Sequence, residues 1–452
     1  MQEEDNKKTK RIKQISVTKL FGMFDHTVPL NLEDRITIIH GPNGFGKTAI
    51  LRLIKSLFSQ SNTVLREVPF DELRIDFDDN TSFWITKTAQ TSQSVEKEEN
   101  TQIITFNATG RLPFLLSSKY SLSQTRRSLF ERTAPVTRVG PRTWRDDFTD
   151  EELTMEDVVE RYGDKVLPEV IIEKEPEWLT EMRRVLPIRL IETQRLLNSS
   201  IRSSRFPEYD KIRQTRRPAM IPTVTKFSEE IARLIERKIA ESATLAQSLD
   251  RTFPARVFRP TTEQRNVSDH ELRDRLTKLE KKRLSLMAIS LLDQDNSEAF
   301  QMDNYMDDNK RAMLSVYVED AERKLEVFDE MADKIDLLTK IINKRFLYKK
   351  MSITREQGFV FTTDNGMLES LSSGEQHELV LFYEMLFKVA SGSLILVDEP
   401  ELSLHVVWQM EFLRDLQEIT KLASLDVLLA THSPQIINDR WDLTVELKGP
   451  NN

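Results

Sequence analysis

Residues 41–48 form a glycine-rich segment whose composition suits phosphate binding. The sequence GPNGFGKT follows the apolar run RITIIH and precedes the helical pattern TAILRLIKSLF. Glycines let the backbone wrap closely around a phosphate, and the N-terminus of the following helix attracts an anion. Lys47 would place a positive charge on the β- and γ-phosphates, while the Thr48 hydroxyl would be a ligand of Mg²⁺. The predicted nucleotide-binding residues are Gly41, Pro42, Asn43, Gly44, Phe45, Gly46, Lys47, Thr48 and Ala49.

A second group of polar residues ends an apolar segment near the C-terminus, in SLILVDEP (393–400). Successive residues of a strand face opposite sides, so Asp398 and Glu399 cannot share one task while both stay extended. We expect Asp398 to hold the magnesium ion through water. Glu399 is then the candidate for orienting or deprotonating the water that attacks the phosphate. The alternative, an exposed strand end closed by a turn, is the weaker interpretation beside a phosphate-binding segment.

The composition excludes several other kinds of chemistry. The chain has 452 residues, with 65 Lys and Arg against 73 Asp and Glu, so contact with nucleic acid would need a local basic patch. It contains no cysteine, which excludes disulfides, cysteine-ligated zinc, iron–sulfur clusters and thiol chemistry. The polar start MQEEDNKKTKRIK lacks the apolar stretch of a secretory signal, and no window approaches the roughly 18 apolar residues of a membrane span. We therefore expect a cytoplasmic protein without a membrane partner.

The apolar periodicity predicts the elements that must position these residues. Within 12–39, the alternating segment IKQISV and the β-branched run RITIIH predict short strands. Alternating patterns at 73–78, 81–87 and 101–107 predict antiparallel strands beside the phosphate loop. Residues 108–180 are irregular, and the pattern from 227 to about 347 is helical without a sustained heptad repeat. The last hundred residues alternate between strand and helix, which is typical of an α/β sheet.

The segment SLSSGEQ (370–376) opens the helix that precedes the acidic strand. Serine and glycine before glutamate are favourable at a helix N-terminus, where side chains and free N–H groups must be satisfied. The alternative is that these N–H groups and hydroxyls bind a phosphate. Since one chain already has a phosphate loop, such a second anion site would belong to a nucleotide held by another chain.

The order of these motifs resembles the ABC-type ATPases, in particular the SMC-, RecF- and OLD-like branch. The resemblance covers residues 12–54, the region around 187–196, and 352–443, and its signature is L-S-S-G-E-Q with Ser373 where a glycine is usual. It implies two ATPase heads that sandwich ATP and Mg²⁺, so the protein would be at least a homodimer. It also implies that the signature of one head touches the γ-phosphate bound by the other, through Ser372, Ser373, Gly374 and Glu375.

The same resemblance assigns three further positions. Gln194, in LIETQRL, is similar to the glutamine that senses Mg²⁺ and the γ-phosphate, and His432, in VLLATHSP, is similar to the switch histidine. Together with Lys47 and Glu399, His432 is therefore a predicted catalytic residue. ELSLH (401–405) is similar to the loop that crosses the dimer seam. His405 in that loop could act at the seam or cap the following helix.

The predicted fold is an α/β P-loop NTPase head of the ABC type, with a mixed or parallel sheet, N-terminal antiparallel strands and an α-helical insertion. The predicted domains are an N-terminal head part at 1–194, a mainly helical insertion at 195–351 and a C-terminal head part at 352–452. Within this layout, residues 183–217 carry ten Lys and Arg against three Asp and Glu. This basic segment could bind DNA phosphates or an acidic partner, or it could be a solvated surface.

The compact head, the helical insertion and the ATHSP strand resemble the stand-alone ATPases of bacterial anti-phage systems, the Septu ATPase first and the PARIS ATPase next. That resemblance implies a separate nuclease effector, of the HNH type if the system is Septu-like, and oligomers of head dimers. We therefore expect an ATP-hydrolysing head that controls an effector in phage defence. The alternatives are a RecF- or SMC-like DNA-binding protein of repair or maintenance, and an assembly scaffold with bound nucleotide and little turnover.

Overall fold

The computed structural model describes most of the chain. The described residues are 10–59, 62–92, 99–116, 134–140, 143–146, 152–153, 158, 175–192, 200–201, 220–221, 223–259, 261, 264, 267–293, 307–363, 366–367, 371–402 and 404–450. No helix within these ranges is long and apolar enough to cross a membrane.

The described strands and helices are numbered here along the chain. The strands are β1 (Ile12–Leu20), β2 (Phe24–Pro29), β3 (Ile36–His40), β4 (Glu72–Phe77), β5 (Ser82–Ser92), β6 (Glu99–Ala108), β7 (Phe114–Leu116), β8 (Val136–Arg138), β9 (Trp144–Asp146), β10 (Glu152–Leu153), β11 (Ile188–Glu192), β12 (Ser200–Ile201), β13 (Met220–Ile221), β14 (Lys350–Thr354), β15 (Gly358–Thr363), β16 (Gly366–Met367), β17 (Leu394–Asp398), β18 (Asp426–Ala430) and β19 (Thr444–Glu446). The α-helices are α1 (Lys47–Leu57), α2 (Thr63–Glu67), α3 (Glu177–Val185), α4 (Thr223–Phe258), α5 (Asp269–Ala288), α6 (Asp308–Glu326), α7 (Asp329–Arg345), α8 (Ser373–Phe387), α9 (Val406–Ala423) and α10 (Pro434–Ile437). Short 3-10 helices lie at Pro400–Leu402 and Trp441–Leu443.

By compactness the chain divides into two units. The first comprises Met1–Gln194 and Val389–Asn452, and the second comprises Arg195–Lys388. The first unit therefore contains the phosphate loop and the acidic strand, while the second contains the helical insertion and the helix that follows the signature. The three-part domain division at 194/195 and 351/352 stays a prediction about how the chain is organised.

The first unit contains three of the described sheets: the short antiparallel sheet β10-β9-β8 and two larger sheets that flank the phosphate loop. The N-terminal sheet has the order β2-β1-β4-β5-β6-β7, and all of its pairs are antiparallel, as the alternating sequence patterns predict. The second sheet has the order β11-β17-β18-β3-β19, and all of its pairs are parallel. Its strands are short apolar runs because parallel strands are buried on both faces. The predicted α/β architecture with antiparallel strands beside the phosphate loop is confirmed.

Helix α1 is amphipathic and buries its apolar face in the core of the first unit. Ile50, Leu51, Leu53, Ile54 and Leu57 have no exposed surface, and they pack in one apolar cluster with residues of both sheets. The apolar positions recur every three to four residues, which places them on one side of the helix. This packing fixes the start of α1 against the carboxyl ends of the parallel strands, where the phosphate loop emerges.

The second unit is mainly helical. Helices α4, α5, α6 and α7 occupy most of the region predicted as a helical insertion, and β14 and β15 form an antiparallel hairpin after it. Two ion pairs join the end of α7 and the following turn to the first turns of α8. Arg345 pairs with Glu378, both almost completely buried, and the Lys349 Nζ lies 2.7 Å from the Glu375 Oε2. The start of α8 is therefore held by charges from the end of the insertion.

Candidate nucleotide site

The phosphate loop connects β3 to α1 at the carboxyl edge of the parallel sheet. Gly44 and Gly46 have φ angles of 85° and 89°, in the left-handed region that favours glycine. A Cβ atom at Gly46 would lie 2.5 Å from the Leu20 Cδ2, so a side chain at this position would also clash. The Ile50 N–H donates to the Gly46 carbonyl at 2.8 Å, so the helix begins directly from the loop. The positive end of the α1 dipole thus adjoins the loop.

Lys47 lies across this loop. Its Nζ donates to the carbonyls of Gly41 at 2.8 Å and Pro42 at 3.0 Å, and lies 3.4 Å from the His432 Nδ1. Burial lowers the pKa of Lys47, while the nearby carboxylates of Glu399, Glu401 and Asp398 oppose this shift. The ammonium group is therefore preorganised beside the loop and close to three carboxylates, as a phosphate-binding lysine should be.

Thr48 and Asp398 form the second part of the site. The Thr48 Oγ1 donates to the Asp398 Oδ1 at 3.0 Å. Asp398 is the last residue of β17 and is in register with Glu192 on β11 and Ala430 on β18. Burial raises the pKa of Asp398 to about 6, against the lowering effect of the Thr48 hydrogen bond, and the charge of Glu399 adds to the rise. A carboxylate with a raised pKa is stabilised in its charged form by a cation.

The hydroxyl of Thr48 and the carboxylate of Asp398 fit a magnesium ion, because both are hard oxygen ligands. Within the described part of the chain, no group of three or more His, Asp or Glu residues could hold a metal by itself. A magnesium ion here would take its other ligands from phosphate oxygens and water, which is usual for nucleotide-bound Mg²⁺. Bound in this way, it would neutralise negative charge on the transferring phosphate.

We expect Asp398→Asn to raise the melting temperature of nucleotide-free, magnesium-free protein at pH 7.5 by about 1–3 °C. The amide oxygen can still accept from Thr48, while the cost of burying a charge is removed. The folded-state pKa of about 6 lies above the ordinary value of 3.8. Between these values the folded chain binds more protons than the unfolded chain, so the destabilisation by Asp398 grows as the pH rises. The difference in melting temperature should therefore shrink as the pH falls from 7 to 4.

Asp426→Asn is the matched control for this prediction. Asp426 begins β18, the strand next to β17, and its carboxylate accepts two hydrogen bonds from Arg11, at 2.8 and 2.6 Å. Removing that charge should lower the melting temperature, because a paired carboxylate stabilises the fold. Differential scanning calorimetry of both variants across this pH range provides the measurement. A lower melting temperature for Asp398→Asn at pH 7.5 would contradict the electrostatic interpretation of the site.

Glu399 and His432 complete the group at the sheet edge. Glu399 follows β17 with a φ of 46°, so the chain leaves its extended conformation at this residue. Its N–H donates to the Ala430 carbonyl at 2.9 Å, and its Oε1 lies 3.4 Å from the His432 Nε2. The ring of His432 thus lies between Lys47 and Glu399, with one nitrogen toward each.

Two residues that support the backbone of His432 were not indicated by the sequence. The Glu401 carboxylate accepts from the Thr431 Oγ1 at 2.9 Å and from the His432 N–H at 2.7 Å. The Gln409 Nε2 donates to the Glu401 carbonyl at 3.2 Å, and its Oε1 accepts from the Ser433 hydroxyl at 2.8 Å. These bonds hold the backbone of His432 in place. Glu401 belongs to the segment ELSLH, which the sequence interpretation assigned to the dimer seam. That interpretation did not predict the contact of Glu401 with Thr431, thirty residues later in the chain.

The signature residues lie in the second unit, at the start of α8. Ser372 is the N-cap: its Oγ accepts from the Glu375 N–H at 3.4 Å, and the Glu375 carboxylate accepts from the Ser372 N–H at 2.8 Å. Ser372 thus caps α8, as one of the two interpretations expected. Its contact with a phosphate bound by another chain stays a prediction. His405 likewise caps α9, since its Nδ1 accepts from the Val407 N–H at 3.4 Å.

Two sequence predictions fall largely outside the described residues. Gln194 is one, and most of the basic segment 183–217 is the other. Arg183, at the start of that segment, is described and is buried. It pairs with Glu175, and its Nη2 donates to the Asn62 Oδ1 at 2.9 Å, so this side chain is not placed to contact DNA.

P-loop NTPases are defined by a parallel sheet with a glycine-rich loop between a strand and a helix. A lysine, a threonine and an acidic strand end lie beside that loop, as they do here. A family model described as the AAA ATPase domain matches residues 11–437. The chain belongs to this family and is an ATP-binding ATPase. A search of the curated proteins found no match to the chain.

Three solved structures of SMC heads are similar to the chain at low identity. The first is an Smc head domain with an extended coiled coil bound to the C-terminal domain of ScpA, from Pyrococcus furiosus, with 12% identity, 98% of this chain and 94% of that chain covered, and a TM-score of 0.34. The second is the SmcHead bound to the C-winged helix domain of ScpA, with 10% identity, 94% and 91% covered, and a TM-score of 0.34. The third is the SMC head domain from Thermotoga maritima, with 9% identity, 97% and 96% covered, and a TM-score of 0.33.

Proposed function

We propose that this ATPase binds ATP between two copies of the chain, each completing the active site of the other, and that the ATP cycle controls a separate nuclease effector in anti-phage defence. ATP hydrolysis is supported by one observation: five side chains lie together at one edge of the parallel sheet, those of Lys47, Thr48, Asp398, Glu399 and His432. Each of these five residues has a side-chain atom within 3.4 Å of another member of the group from a distant part of the chain. Such a cluster binds a phosphate on one side and activates water on the other.

In the proposed reaction Glu399 accepts the proton of the attacking water. A bond forms between the water oxygen and the γ-phosphorus, the bond from that phosphorus to the bridging oxygen breaks, and ADP leaves with the electron pair. Lys47 stabilises the negative charge on the β- and γ-phosphates. His432 lies beside both residues, so its ring can donate a hydrogen bond to a γ-phosphate oxygen.

The geometry at the start of α8 supports a role for residues 371–375 in trans. Ser372 and Ser373 are exposed, and a Cβ atom at Gly374 would have no other heavy atom within 4 Å. The capping box engages the N–H of Glu375, while helix geometry gives the N–H groups of Ser373 and Gly374 no partner inside the helix. An open helix N-terminus with two such N–H groups can accept an incoming phosphate.

We expect Ser372→Arg to prevent ATP-driven association without preventing nucleotide binding by the monomer. A long cation at the open start of α8 would block the approach of a second head, while the phosphate loop is unchanged. The measurement is the mass in solution by light scattering with ATP and Mg²⁺, in a Glu399→Gln background that retains ATP. A fluorescent ATP analogue reports binding, which should stay within about twofold of the parent, because the substitution lies outside the phosphate loop.

Ser268→Arg is the matched control for that variant. Ser268 is the N-cap of α5, and its Oγ accepts from the Glu271 N–H at 3.2 Å. Ser268→Arg therefore removes a serine N-cap that has a glutamate three residues later, as Ser372→Arg does. Each cap contributes about 1 kcal/mol, so the two variants lose similar stability. Only Ser372→Arg should stay monomeric with ATP. ATP-driven dimers of Ser372→Arg would count against the proposed trans contact.

The effector is proposed from the resemblance to the Septu and PARIS ATPases, which also leads us to propose a cytoplasmic protein and assemblies of head dimers. The test is purification of the native chain from its source under low salt, with mass spectrometry of the co-purifying proteins and a nuclease assay of the complex. An HNH-type nuclease is the expected partner. A chain that purifies alone and binds DNA in a salt-sensitive way would favour the RecF- or SMC-like alternative instead.

A further inference from the structure

His26 on β2 makes a hydrogen bond to the phosphate loop that no motif of the sequence indicates. Its side chain is 5% exposed, and the His26 Nε2 lies 2.9 Å from the Phe45 carbonyl oxygen. A carbonyl oxygen can only accept, so the Nε2 must carry the proton. Burial lowers the pKa of His26, which favours the neutral ring with this nitrogen as its donor.

Aromatic rings pack around the hydrogen bond between His26 and Phe45. The His26 ring is stacked on the Phe24 ring with centroids 5.6 Å apart, and the Phe24 ring lies 5.3 Å from the Phe45 ring. A Cβ atom on Gly449 would lie 3.6 Å from the Phe45 ring, so the C-terminal segment also approaches this ring. Phe45 is therefore fixed by both its ring and its carbonyl group.

The carbonyl of Phe45 and the N–H of Gly46 belong to one planar trans peptide, so they point in opposite directions. Because the carbonyl is hydrogen-bonded to His26, the Gly46 N–H points away from His26. Gly44 and Gly46, on either side, both have left-handed φ angles, and alternation of this kind turns successive N–H groups to one side as an anion nest. The orientation of this peptide thus depends on a donor nineteen residues earlier in the chain.

We propose that His26 is a positioning residue for nucleotide binding: it orients the Phe45–Gly46 peptide so that the Gly46 N–H can donate to a phosphate of the bound nucleotide. The proposal concerns the ATP site of a single chain and does not depend on dimerisation. Because that N–H contacts the phosphate equally before and during the reaction, His26 should act on nucleotide affinity and leave kcat nearly unchanged.

We expect His26→Phe to weaken ATP and ADP binding about tenfold, which corresponds to one net hydrogen bond, with kcat at saturating ATP within about twofold of wild type. Phenylalanine keeps a ring to stack on Phe24 and removes only the donor. Isothermal titration calorimetry with ATP and with ADP measures affinity, and phosphate release measures kcat. ATP affinity within twofold of wild type in folded His26→Phe would overturn the proposal.

A second pair of variants decides the question if His26→Phe does not fold. The amide nitrogen of glutamine can reach the position of the His26 Nε2, whereas the shorter asparagine cannot. His26→Gln should therefore recover most of the ATP affinity, and His26→Asn should not. Equal ATP affinity of these two polar variants, at equal melting temperature, would overturn the proposal. At saturating ATP all of these variants should still associate, so a failure of the dimer proposal would be recognised separately.

Discussion

Replacing Glu399 with glutamine is expected to lower ATP turnover by roughly 10²–10⁴-fold, the usual effect of losing a general base. The amide cannot accept the proton of the attacking water, while its size and its position 3.4 Å from the His432 Nε2 can be kept. ATP binding should persist, because the phosphate loop is untouched and one negative charge near the phosphates is gone. The measurement is phosphate release at saturating ATP together with the dissociation constant for ATP.

Glu446→Gln is the matched control for that substitution. Glu446 ends β19 at the same edge of the parallel sheet, in register with His40 on the adjacent strand, and is exposed. It undergoes the same chemical change without contact to Lys47 or His432, so its turnover should stay close to wild type. Under the proposed function, Glu399→Gln should also accumulate dimers in ATP. A Glu399→Gln protein with unchanged turnover would remove the general-base role.

Replacing Lys47 with alanine is expected to weaken ATP binding by roughly 10–150-fold, the range for a hydrogen bond to a charged group, and to reduce turnover further. The loss has two causes. The positive charge beside the phosphates disappears, and so do the bonds from the Lys47 Nζ to the carbonyls of Gly41 and Pro42. Without those bonds the loop is no longer held in the conformation that directs its N–H groups to the nucleotide.

Lys55→Ala tests whether this effect belongs to the site. Lys55 is in the last turn of the same helix, and its Nζ lies 3.5 Å from the Ile188 carbonyl, far along α1 from the loop. The two variants lose the same charge and the same side-chain length from one helix. Calorimetric titration with ATP should separate them clearly. If Lys47→Ala bound and hydrolysed ATP like Lys55→Ala, the assignment of the phosphate loop would be wrong.

The phosphate loop and the acidic strand end could be predicted because their signals are local. Glycines, Lys47 and Thr48 occupy eight consecutive residues between a strand and a helix, and Asp398 ends an apolar run. The antiparallel strands could be predicted from alternating apolar and polar residues, and the parallel strands from short apolar runs separated by helical patterns. His432, which the resemblance assigns as the switch histidine, lies 3.4 Å from the Lys47 Nζ, and its role toward the γ-phosphate stays a prediction.

The supporting residues could not be predicted, because their partners are remote in the sequence. His26 reaches Phe45 across nineteen residues, and Gln409 reaches Ser433 across twenty-four. Neither forms part of a motif, and an isolated histidine or glutamine is common on any chain. The φ of 46° at Glu399 is also invisible to a pattern of residue types, although it decides that Glu399 and Asp398 leave the strand end in different directions. Their roles arise only from tertiary packing.

The side chain of Gln409 has one further consequence. It bonds to the Glu401 carbonyl and the Ser433 hydroxyl, while the Glu401 carboxylate binds the His432 N–H, so α9 and His432 share one chain of hydrogen bonds. The first turn of α9 exposes Val406 by 53% and Val407 by 62%. A molecule that displaces this turn must either break those bonds or shift His432 with it. Under the proposed contact of His432 with the γ-phosphate, a molecule that binds this exposed surface would therefore change the rate of ATP hydrolysis.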